Sequence, residues 1–263
     1  MNEMNVEAYL KRINYTGSLE PTPETLRGLQ VAHLKTVPFE NLSIHANEPI
    51  VLEDNALFAK IVDRRRGGFC YEANGLFAAL LRALGFEVAM LAAGVAKKEG
   101  GFGPQFDHMT LMVTMAERWL CDVGFGDSFL EPLLLDSRDE QAQGTGSFRI
   151  VEDDDYLILM RRNHGSDWEP QYRFTLQPYT FADYEETCIY HQTSPDSHFT
   201  KGRICSLATE DGRITLSDMR LITTGPEQLR DERTLTHEEY DRILLDQFGI
   251  VMKVNNDDGM KGA

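Results

Sequence analysis

The sequence predicts an α+β fold, because the pattern of apolar residues changes twice along its 263 residues. In the first third, apolar residues recur at helical spacing, which is typical of amphipathic helices. In the middle third, apolar and polar residues alternate, which is typical of strands with one buried face. Both patterns occur in the last part. We therefore expect a helical segment over residues 1–85, a strand-rich segment over 86–200 and a mixed α/β segment over 201–263.

Four helices are expected in the helical segment. The first is indicated by apolar spacing over residues 6–13, and the second begins at Thr22 and Pro23, a favourable cap and first-turn pair. Apolar residues over 57–62 indicate the third helix. The fourth is indicated by an apolar stripe over 76–84, which Gly85 closes.

Strands and one further helix are expected in the rest of the chain. Residues 87–95, 108–115 and 119–125 are predicted strands. Residues 156–160 and 172–176 are predicted to form a hairpin around residues 163–165. Residues 204–209 and 214–222 flank Asp211 and Gly212, a pair that favours a tight hairpin turn. Thr236 and Glu239 form a capping box for a last helix that ends near Gly249.

The composition of the chain disfavours several classes of function. The formal net charge of -16 disfavours binding to nucleic acids and to anionic membranes, which carry negative charge themselves. The start of the chain lacks the apolar region of a signal peptide, and no apolar run approaches membrane-spanning length. The four cysteines are scattered, which gives poor support for a metal site and is typical of a reduced cytoplasmic protein.

Cys70 lies where two glycines end and an apolar helical stripe begins, in the stretch RGGFCYE at residues 66–72. Because Gly67 and Gly68 allow a tight turn, we expect Cys70 at or near a helix N-terminus. The helix dipole and the free amides at that position favour the thiolate form of the cysteine. The same amides could stabilise the oxyanion that forms when the sulfur attacks a carbonyl group. The alternative is that Cys70 is a small core residue, the commoner role of a free cysteine beside apolar residues.

A thiolate nucleophile needs a base, which a third group usually positions. His108 and Asp122 are the candidates, because they lie on adjacent predicted strands. If the apolar faces of both strands enter one core, the pairing parity places His108 and Asp122 together on the other face. Directly opposite each other, their Cβ atoms would be about 5 Å apart. The alternatives are a structural histidine and an aspartate that ends a strand.

Glu40 and Arg66 are a candidate structural support for the turn before Cys70. Arginine–carboxylate pairs form two parallel hydrogen bonds with demanding geometry, so a buried pair would hold the turn in place. The alternative is that Glu40 is an ordinary acid in a surface turn.

Four stretches together resemble the arylamine N-acetyltransferase family. RGGFCYE at 66–72 closely resembles the active-site signature of that family. PFENL at 38–42, DVGFG at 122–126 and TSPDSHF at 193–199 resemble three further motifs, in the same order. The resemblance implies a papain-like (cysteine-proteinase-like) fold: a helical bundle over 1–85 that carries the nucleophilic cysteine, a central β-barrel over 86–200 that carries the histidine and aspartate, and a C-terminal α/β lid over 201–263.

The resemblance also implies site residues. The matching positions give a triad of Cys70, His108 and Asp122, the same residues that the pattern of strands and glycines indicates. The positions that match those lining the substrate and acyl-donor cleft of the family are Phe39, Val95, Gly124, Phe125, Gly126 and Phe199.

The activity implied by the resemblance is acetyl transfer in xenobiotic metabolism. Acetyl-CoA would be the co-substrate, no metal would be needed, and the acceptors would be arylamines, arylhydrazines or N-hydroxyarylamines. The reaction would be a ping-pong transfer through acetyl-Cys70. Lys97–Lys98 and residues 201–203 are two basic stretches that are candidates for binding the coenzyme phosphates.

Three other functions remain open from the sequence. A cysteine hydrolase would release the acyl group to water, and an amide synthase would accept a longer acyl chain from a carrier. A binding protein that has kept the fold would use no nucleophile. A dinucleotide-binding enzyme is improbable, because Gly101-Phe102-Gly103 is too short and wrongly placed for the glycine-rich loop.

Overall fold

The computed structural model describes residues 3–163, 165–210, 212–225 and 229–252. The first part of the chain is helical, as expected. The second helix begins where it was predicted, because the Thr22 side chain accepts a hydrogen bond from the Thr25 amide and Pro23 lies in the first turn. The elements are α1 (Glu3–Arg12), α2 (Pro23–Leu34), a short strand β1 (Phe39–Glu40), α3 (Leu42–His45), α4 (Asp54–Phe58) with a π-helical continuation (Ala59–Asp63), and α5 (Cys70–Ala83).

Helix α5 lies at the centre of the first hydrophobic core. Its side chains from Cys70 to Leu81 are all buried, and they pack against α1, α4 and two strands of the barrel described next. Complete burial of a leucine or phenylalanine contributes about 1.5–3 kcal/mol, so the apolar stripe of α5 is a large part of what holds the helices on the barrel. Cys70 is therefore fixed at the start of the best-packed helix in the described structure.

Eight antiparallel strands form the barrel-like sheet of the middle part. Their spatial order is β5-β4-β3-β2-β9-β8-β7-β6, so β5 and β6 are its two edges. A second core, which contains Leu120, Phe148 and Phe174, fills the space that this curved sheet encloses. The strands are β2 (Glu87–Val95), β3 (His108–Thr114), β4 (Arg118–Cys121), β5 (Leu133–Leu134), β6 (Gln141–Gln143), β7 (Gly146–Asp153), β8 (Tyr156–Arg162) and β9 (Glu169–Tyr179).

Two glutamine side chains of β6 bridge the edges of this sheet. The Leu134 amide donates to Gln141 Oε1 at 2.8 Å, and Gln141 Nε2 donates to the Leu134 carbonyl at 3.0 Å. Gln143 makes the same kind of contact with the backbone of Glu131. The side-chain amides thus take the place of backbone hydrogen bonds between β5 and β6, and they nearly close the sheet into a barrel.

The last part contains a five-stranded sheet and the final helix. Strand β1 from the first part lies at one edge of this sheet, in the order β1-β10-β11-β12-β13, and a third core packs it against α8. The capping box of Thr236 and Glu239 is present, and α8 ends at Gly249 in the left-handed conformation. The elements are α6 (Phe181–Thr193), α7 (His198–Lys201), β10 (Ile204–Ala208), β11 (Arg213–Ser217), β12 (Arg220–Thr224), β13 (Arg230–Thr234) and α8 (His237–Phe248).

The structure corrects the predicted elements in three places. The strand predicted over 214–222 is two strands, because the chain turns at Asp218, whose φ is 49°. The strand predicted over 119–125 ends at Cys121. The segment predicted as strand-rich over 86–200 also contains α6 and most of α7. The hairpins β8–β9 and β10–β11 are confirmed, whereas His164 and Asp211, at their predicted turns, lie outside the described residues.

Candidate active site

Gly67 and Gly68 form the turn that precedes Cys70, the first residue of α5. A Cβ atom at Gly67 would lie 1.9 Å from the Pro38 carbonyl oxygen, and one at Gly68 would lie 2.6 Å from Glu72 Cβ. The segment around Pro38 therefore packs directly against the backbone of Gly67, and the first turn of α5 packs against the backbone of Gly68. The first amides of a helix have no intrahelical acceptor, so the start of α5 presents donors beside the thiol.

A buried lysine and a glutamate hold the start of α5. Glu72 Oε2 accepts a hydrogen bond from the Phe69 amide at 3.2 Å, and Lys60 Nζ lies 2.7 Å from Glu72 Oε1. Burial raises the pKa of the Glu72 carboxyl, and Lys60 opposes part of that shift. No role was predicted from the sequence for either residue.

Arg66 and Glu40 form the bidentate pair that was proposed from the sequence. Arg66 Nε lies 2.9 Å from Glu40 Oε1, and Arg66 Nη2 lies 3.1 Å from Glu40 Oε2. Glu40 also accepts hydrogen bonds from the Gly67 and Leu42 amides. Both side chains are buried, so the pair ties β1 and the start of α3 to the turn before Cys70.

His108 and Asp122 are hydrogen-bonded inside the protein, with His108 Nε2 2.7 Å from Asp122 Oδ2. Asp122 directly follows β4, and continuing the register of β3 and β4 places it on the same face as His108, as predicted. The register pairs Leu111 with Cys121, so His108 and Asp122 are diagonal neighbours rather than directly opposite each other. Because Nε2 is taken by Asp122, Nδ1 is the ring nitrogen that remains for another partner.

Asn74 connects the elements that carry the three candidate residues. Its Nδ2 donates to Asp122 Oδ1 at 2.9 Å and to the Met109 carbonyl at 2.7 Å, and its Oδ1 accepts from the Val123 amide at 2.8 Å. Asn74 lies one helical turn after Cys70 on α5. This role was not predicted from the sequence, although a polar residue inside an apolar helical stripe could have indicated a buried hydrogen-bonding role.

Asp122 is held as a carboxylate by its partners. Burial alone raises the pKa of its carboxyl, but the charge of His108 and the hydrogen bonds from His108, Asn74 and the Gly124 amide outweigh burial, and the net pKa is lowered. A carboxylate fixed in this way holds the His108 ring in one orientation through Nε2.

Burial has the opposite effect on Cys70. It raises the pKa of the thiol well above its usual value, the nearby carboxylates of Asp122 and Asp107 add to this, and a hydrogen bond from the Met109 backbone opposes it. The helix dipole and amides that were expected to favour a thiolate at Cys70 are therefore opposed by burial. A thiolate at this position needs a proton acceptor beside it.

Cys70 and His108 both line one cavity of about 380 Å³. Its aromatic walls come from different parts of the chain: Phe39 from β1, Phe125 from the loop after β4, and Phe199 from α7. Phe39 and Phe199 have ring centroids 6.3 Å apart, and Phe125 lies 5.2 Å from the His108 ring. The predicted cleft residues that line the cavity are Phe39, Val95, Gly124, Phe125 and Phe199.

Gly126 is the predicted cleft residue that does not line this cavity. Its φ is +95°, and a Cβ there would lie 3.4 Å from the Phe39 ring, so it supports a wall from behind. Asn41 also lines the cavity and was missed by the sequence analysis. Its side chain donates to the carbonyls of Phe199 and Gly202 and accepts from the Ile204 amide, which ties α7 and β10 to the first part of the chain.

A second cavity of about 670 Å³ adjoins the first and shares Val95, Asp107 and His198 with it. Lys97 and Lys98, candidates for phosphate binding, line this second cavity, whereas Arg203 lines the first. The Lys201 ammonium instead donates to the Asp196 carbonyl. Within the described ranges, no cluster of three or more histidine, cysteine, aspartate or glutamate residues could hold a metal ion.

Comparisons with known proteins identify the family. The model of a family described as N-acetyltransferase matches residues 22–257. The chain is 37% identical to "Arylamine N-acetyltransferase, pineal gland isozyme NAT-10" of Gallus gallus and 35% identical to "Arylamine N-acetyltransferase 1" of Homo sapiens, each over 95% of both chains. The chain belongs to the arylamine N-acetyltransferase family.

Solved structures of this family share the fold. The chain superimposes on the arylamine N-acetyltransferase of Salmonella typhimurium with a TM-score of 0.89 and 30% identity, covering 97% of this chain and 94% of that one. The Mycobacterium marinum arylamine N-acetyltransferase, solved in complex with CoA, gives 0.87 and 33%, covering 93% and 92%. The papain-like α+β fold is thereby confirmed, and the protein is an acyltransferase. No described helix is long and apolar enough to cross a bilayer.

Proposed function

We propose that this acyltransferase moves an acetyl group from acetyl-CoA to the nitrogen of arylamines and arylhydrazines, and to the oxygen of N-hydroxyarylamines, through acetyl-Cys70. The observation that carries the proposal is the shared cavity: the thiol of Cys70, at the start of α5, and the Asp122-bound imidazole of His108 open on the same space. Relatives named as arylamine N-acetyltransferases, one of them solved with CoA, support both the donor and the acceptor.

The first half-reaction acetylates the cysteine. His108 Nδ1 accepts the thiol proton as Cys70 Sγ attacks the carbonyl carbon of the acetyl thioester, and Asp122 stabilises the imidazolium through Nε2. The transient oxyanion is stabilised by the backbone amide of Cys70 at the start of α5. The carbon–sulfur bond to coenzyme A then breaks, and the imidazolium returns its proton to the departing CoA thiolate.

The second half-reaction transfers the acetyl group to the acceptor. The amine nitrogen attacks the carbonyl carbon of acetyl-Cys70, His108 Nδ1 takes a proton from the nitrogen, and the bond to Sγ breaks. The proton then returns to Cys70. The aromatic walls suit an aryl acceptor, since Phe39, Phe125 and Phe199 offer ring faces and edges for stacking.

The raised pKa of Cys70 bears on how this chemistry begins. Because burial disfavours an isolated thiolate, proton transfer to His108 is required, and the resulting ion pair is stabilised by Asp122. Lys97 and Lys98 line the adjoining cavity, and there they would bind the coenzyme phosphates while the acetyl end reaches Cys70.

Intact-mass measurement after brief mixing with acetyl-CoA tests the proposal. We expect a mass increase of one acetyl group, mapped to the peptide of Cys70, which disappears when an arylamine is added and acetylated amine accumulates. Cys70→Ala should form no adduct, whereas Cys188→Ala, which changes another buried cysteine, should behave as wild type.

Other outcomes would overturn the proposal. Release of CoA without consumption of the amine would indicate a hydrolase, and acylation only by longer donors would indicate an amide synthase. An unmodified Cys70 under all of these conditions would leave a binding protein as the remaining interpretation.

A further inference from the structure

Asp127 lies in the loop after β4, two residues beyond Phe125, and it faces away from the cavity that Phe125 lines. Gly126 separates the two residues and has a φ of +95°, a left-handed conformation that turns the chain between them. The loop therefore has one side chain in the candidate active site and another in a separate cleft between the barrel and the five-stranded sheet.

The Asp127 carboxylate connects these two sheets. Its Oδ2 lies 3.2 Å from Nη1 of Arg161 on β8, and its Oδ1 lies 3.4 Å from Nε of Arg213 on β11. Arg161 Nη1 also donates to the Asp127 carbonyl at 3.2 Å, and Arg161 Nη2 donates to the Thr145 carbonyl at 3.1 Å. Arg213 Nη1 donates to Ser206 Oγ at 3.0 Å.

Both guanidinium groups are largely removed from water, although the carboxylate is not. The side chains of Arg161 and Arg213 are 9% and 13% exposed, and that of Asp127 is 56% exposed. Burial lowers the pKa of Arg213, and Asp127 opposes this shift. Loss of Asp127 would leave two largely buried cations without the carboxylate between them, so we expect this bridge to stabilise the protein more than an ordinary surface ion pair does.

The bridge joins the two walls of the catalytic cavity. On the barrel side, the Phe125 ring lies 5.2 Å from the His108 ring and 5.3 Å from the Tyr172 ring. On the other side, Ile204 of β10 and Ser217 of β11 line the cavity. Arg213 is on the same strand as Ser217, so a contact between Asp127 and Arg213 fixes the spacing of the walls.

We propose that Asp127 is a positioning residue that, through Arg213, places Phe125 for the aromatic ring of the acceptor. The inference rests on the proposed function and specifies which half-reaction the bridge serves. Acetylation of Cys70 depends on the thiol and on His108, which the helix and the barrel hold without Asp127. Transfer to an arylamine also needs a wall against which the ring stacks, and Phe125 supplies part of that wall.

The test measures the two half-reactions separately in Asp127→Asn, Arg213→Gln and the double variant. We expect the rate constant for acetylation of Cys70 by acetyl-CoA to stay within about twofold of wild type, and kcat/KM for an arylamine to fall about tenfold, the size of a typical coupling between contacting residues. The double variant should lose no more than either single variant. Arg213→Lys, which keeps a charge near Asp127, should recover part of the loss.

Two comparisons separate positioning from general loosening of the fold. Hydrazine, an acceptor without a ring, should be acetylated by Asp127→Asn at nearly the wild-type rate. Arg118→Gln, which removes an exposed ion pair with Asp136 elsewhere on the barrel, should change neither half-reaction. The proposal is overturned if both half-reactions fall together, or if the arylamine and hydrazine are affected equally. Absence of transfer by the wild-type protein would instead refute the proposed function.

Discussion

At the scale of single residues, the candidate site depends on close approaches that leave no room for side chains. Gly124 is the clearest case. A Cβ there would lie 2.7 Å from Cys70 Cα and 2.8 Å from Asn74 Nδ2, so the loop that follows Asp122 lies directly on the first turn of α5. The DVGFG stretch marked this glycine as a cleft residue, but the contact that requires it is between segments more than fifty residues apart and could not be read from the sequence.

Gly124→Ala should therefore impair both stability and activity. The new methyl group would meet the backbone of Cys70, which cannot move without shifting α5, so we expect the free energy of unfolding to fall by about 1–3 kcal/mol. We also expect kcat/KM to fall by about tenfold or more, since the thiol and His108 would move apart. Urea denaturation and steady-state kinetics measure the two effects.

Gly144→Ala is the matched control for that substitution. Gly144 also lies in a loop of the barrel, but a Cβ there would have no atom within 4 Å. For Gly144→Ala we expect the free energy of unfolding and kcat/KM of the wild type. If Gly124→Ala were equally harmless, the first turn of α5 would be free to adjust, and close packing against Gly124 would not fix the position of Cys70.

At the scale of elements, the boundaries that were predicted correctly carry local sequence markers. Thr22–Pro23 marks the start of α2, the Thr236–Glu239 capping box marks α8, and the glycine pair marks the start of α5. Helix α6 was missed because the residues on its buried face are Tyr184, Cys188 and His191, which do not form an apolar stripe. The capping pair of Thr180 and Asp183 was the available marker.

The Arg66–Glu40 pair is the element-scale contact that was proposed correctly from the sequence, and its energetic importance can be tested. Arg66→Ala should lower the free energy of unfolding by about 3–5 kcal/mol, because it leaves the buried Glu40 carboxylate without its charged partner. Arg118→Ala, which breaks the exposed pair with Asp136, should lower it by less than about 1 kcal/mol. Equal effects in urea denaturation would contradict a supporting role for the buried pair.

The packing of α1 and α2 on α5 gives a prediction about pH. His33 is fully buried, its Nδ1 lies 2.8 Å from the Tyr9 hydroxyl, and its ring lies 5.5 Å from the Phe77 ring. Burial, with a smaller contribution from Arg12, lowers the pKa of His33 to about 3. In the folded protein His33 is neutral, whereas in the unfolded chain it takes up a proton below its ordinary pKa of about 6.5.

This difference in pKa sets the direction in which stability changes with pH. The pKa of His33 is lower in the folded state, so its contribution to stability is complete above about pH 6.5 and is lost as the pH falls toward 3. The stability difference between wild type and His33→Gln should therefore shrink by about 1.4 kcal/mol for each pH unit below 6.5. Urea denaturation at pH 7.5 and 5 measures it, with the exposed His237→Gln as control. A difference that did not change with pH would show that His33 titrates normally in the folded protein.

At the scale of the whole molecule, the candidate site exists only where three parts of the chain meet. Cys70 comes from the helical part, His108 and Asp122 from the barrel, and Phe199 from α7, beside the five-stranded sheet. Sequence patterns identified the residue types and the fold class. They could not place the parts relative to one another, because that arrangement depends on contacts such as those of Asn41 and Asn74, which join segments distant in sequence.

The near-closed barrel matters to the site because His108 begins β3 and Asp122 directly follows the neighbouring strand β4. Strands β5 and β6 are short, and Gln141 holds them together by both accepting from the amide and donating to the carbonyl of Leu134. Gln141→Glu keeps the acceptor and removes the donor, so the Leu134 carbonyl would face a carboxylate. We expect the free energy of unfolding to fall by about 1 kcal/mol, because the contact is only partly buried.

Hydrogen exchange locates the effect of that substitution. The Leu134 amide should exchange faster in Gln141→Glu than in wild type, while amides of the neighbouring strands β3 and β4 keep their protection if the contacts of Gln143 with Glu131 hold. Gln177→Glu, at an exposed position of β9, is the matched control and should change neither stability nor exchange. If protection at β3 fell together with that of Leu134, closure of the barrel and the geometry of His108 would be one cooperative unit, and substitutions at this seam would also reduce acetyl transfer.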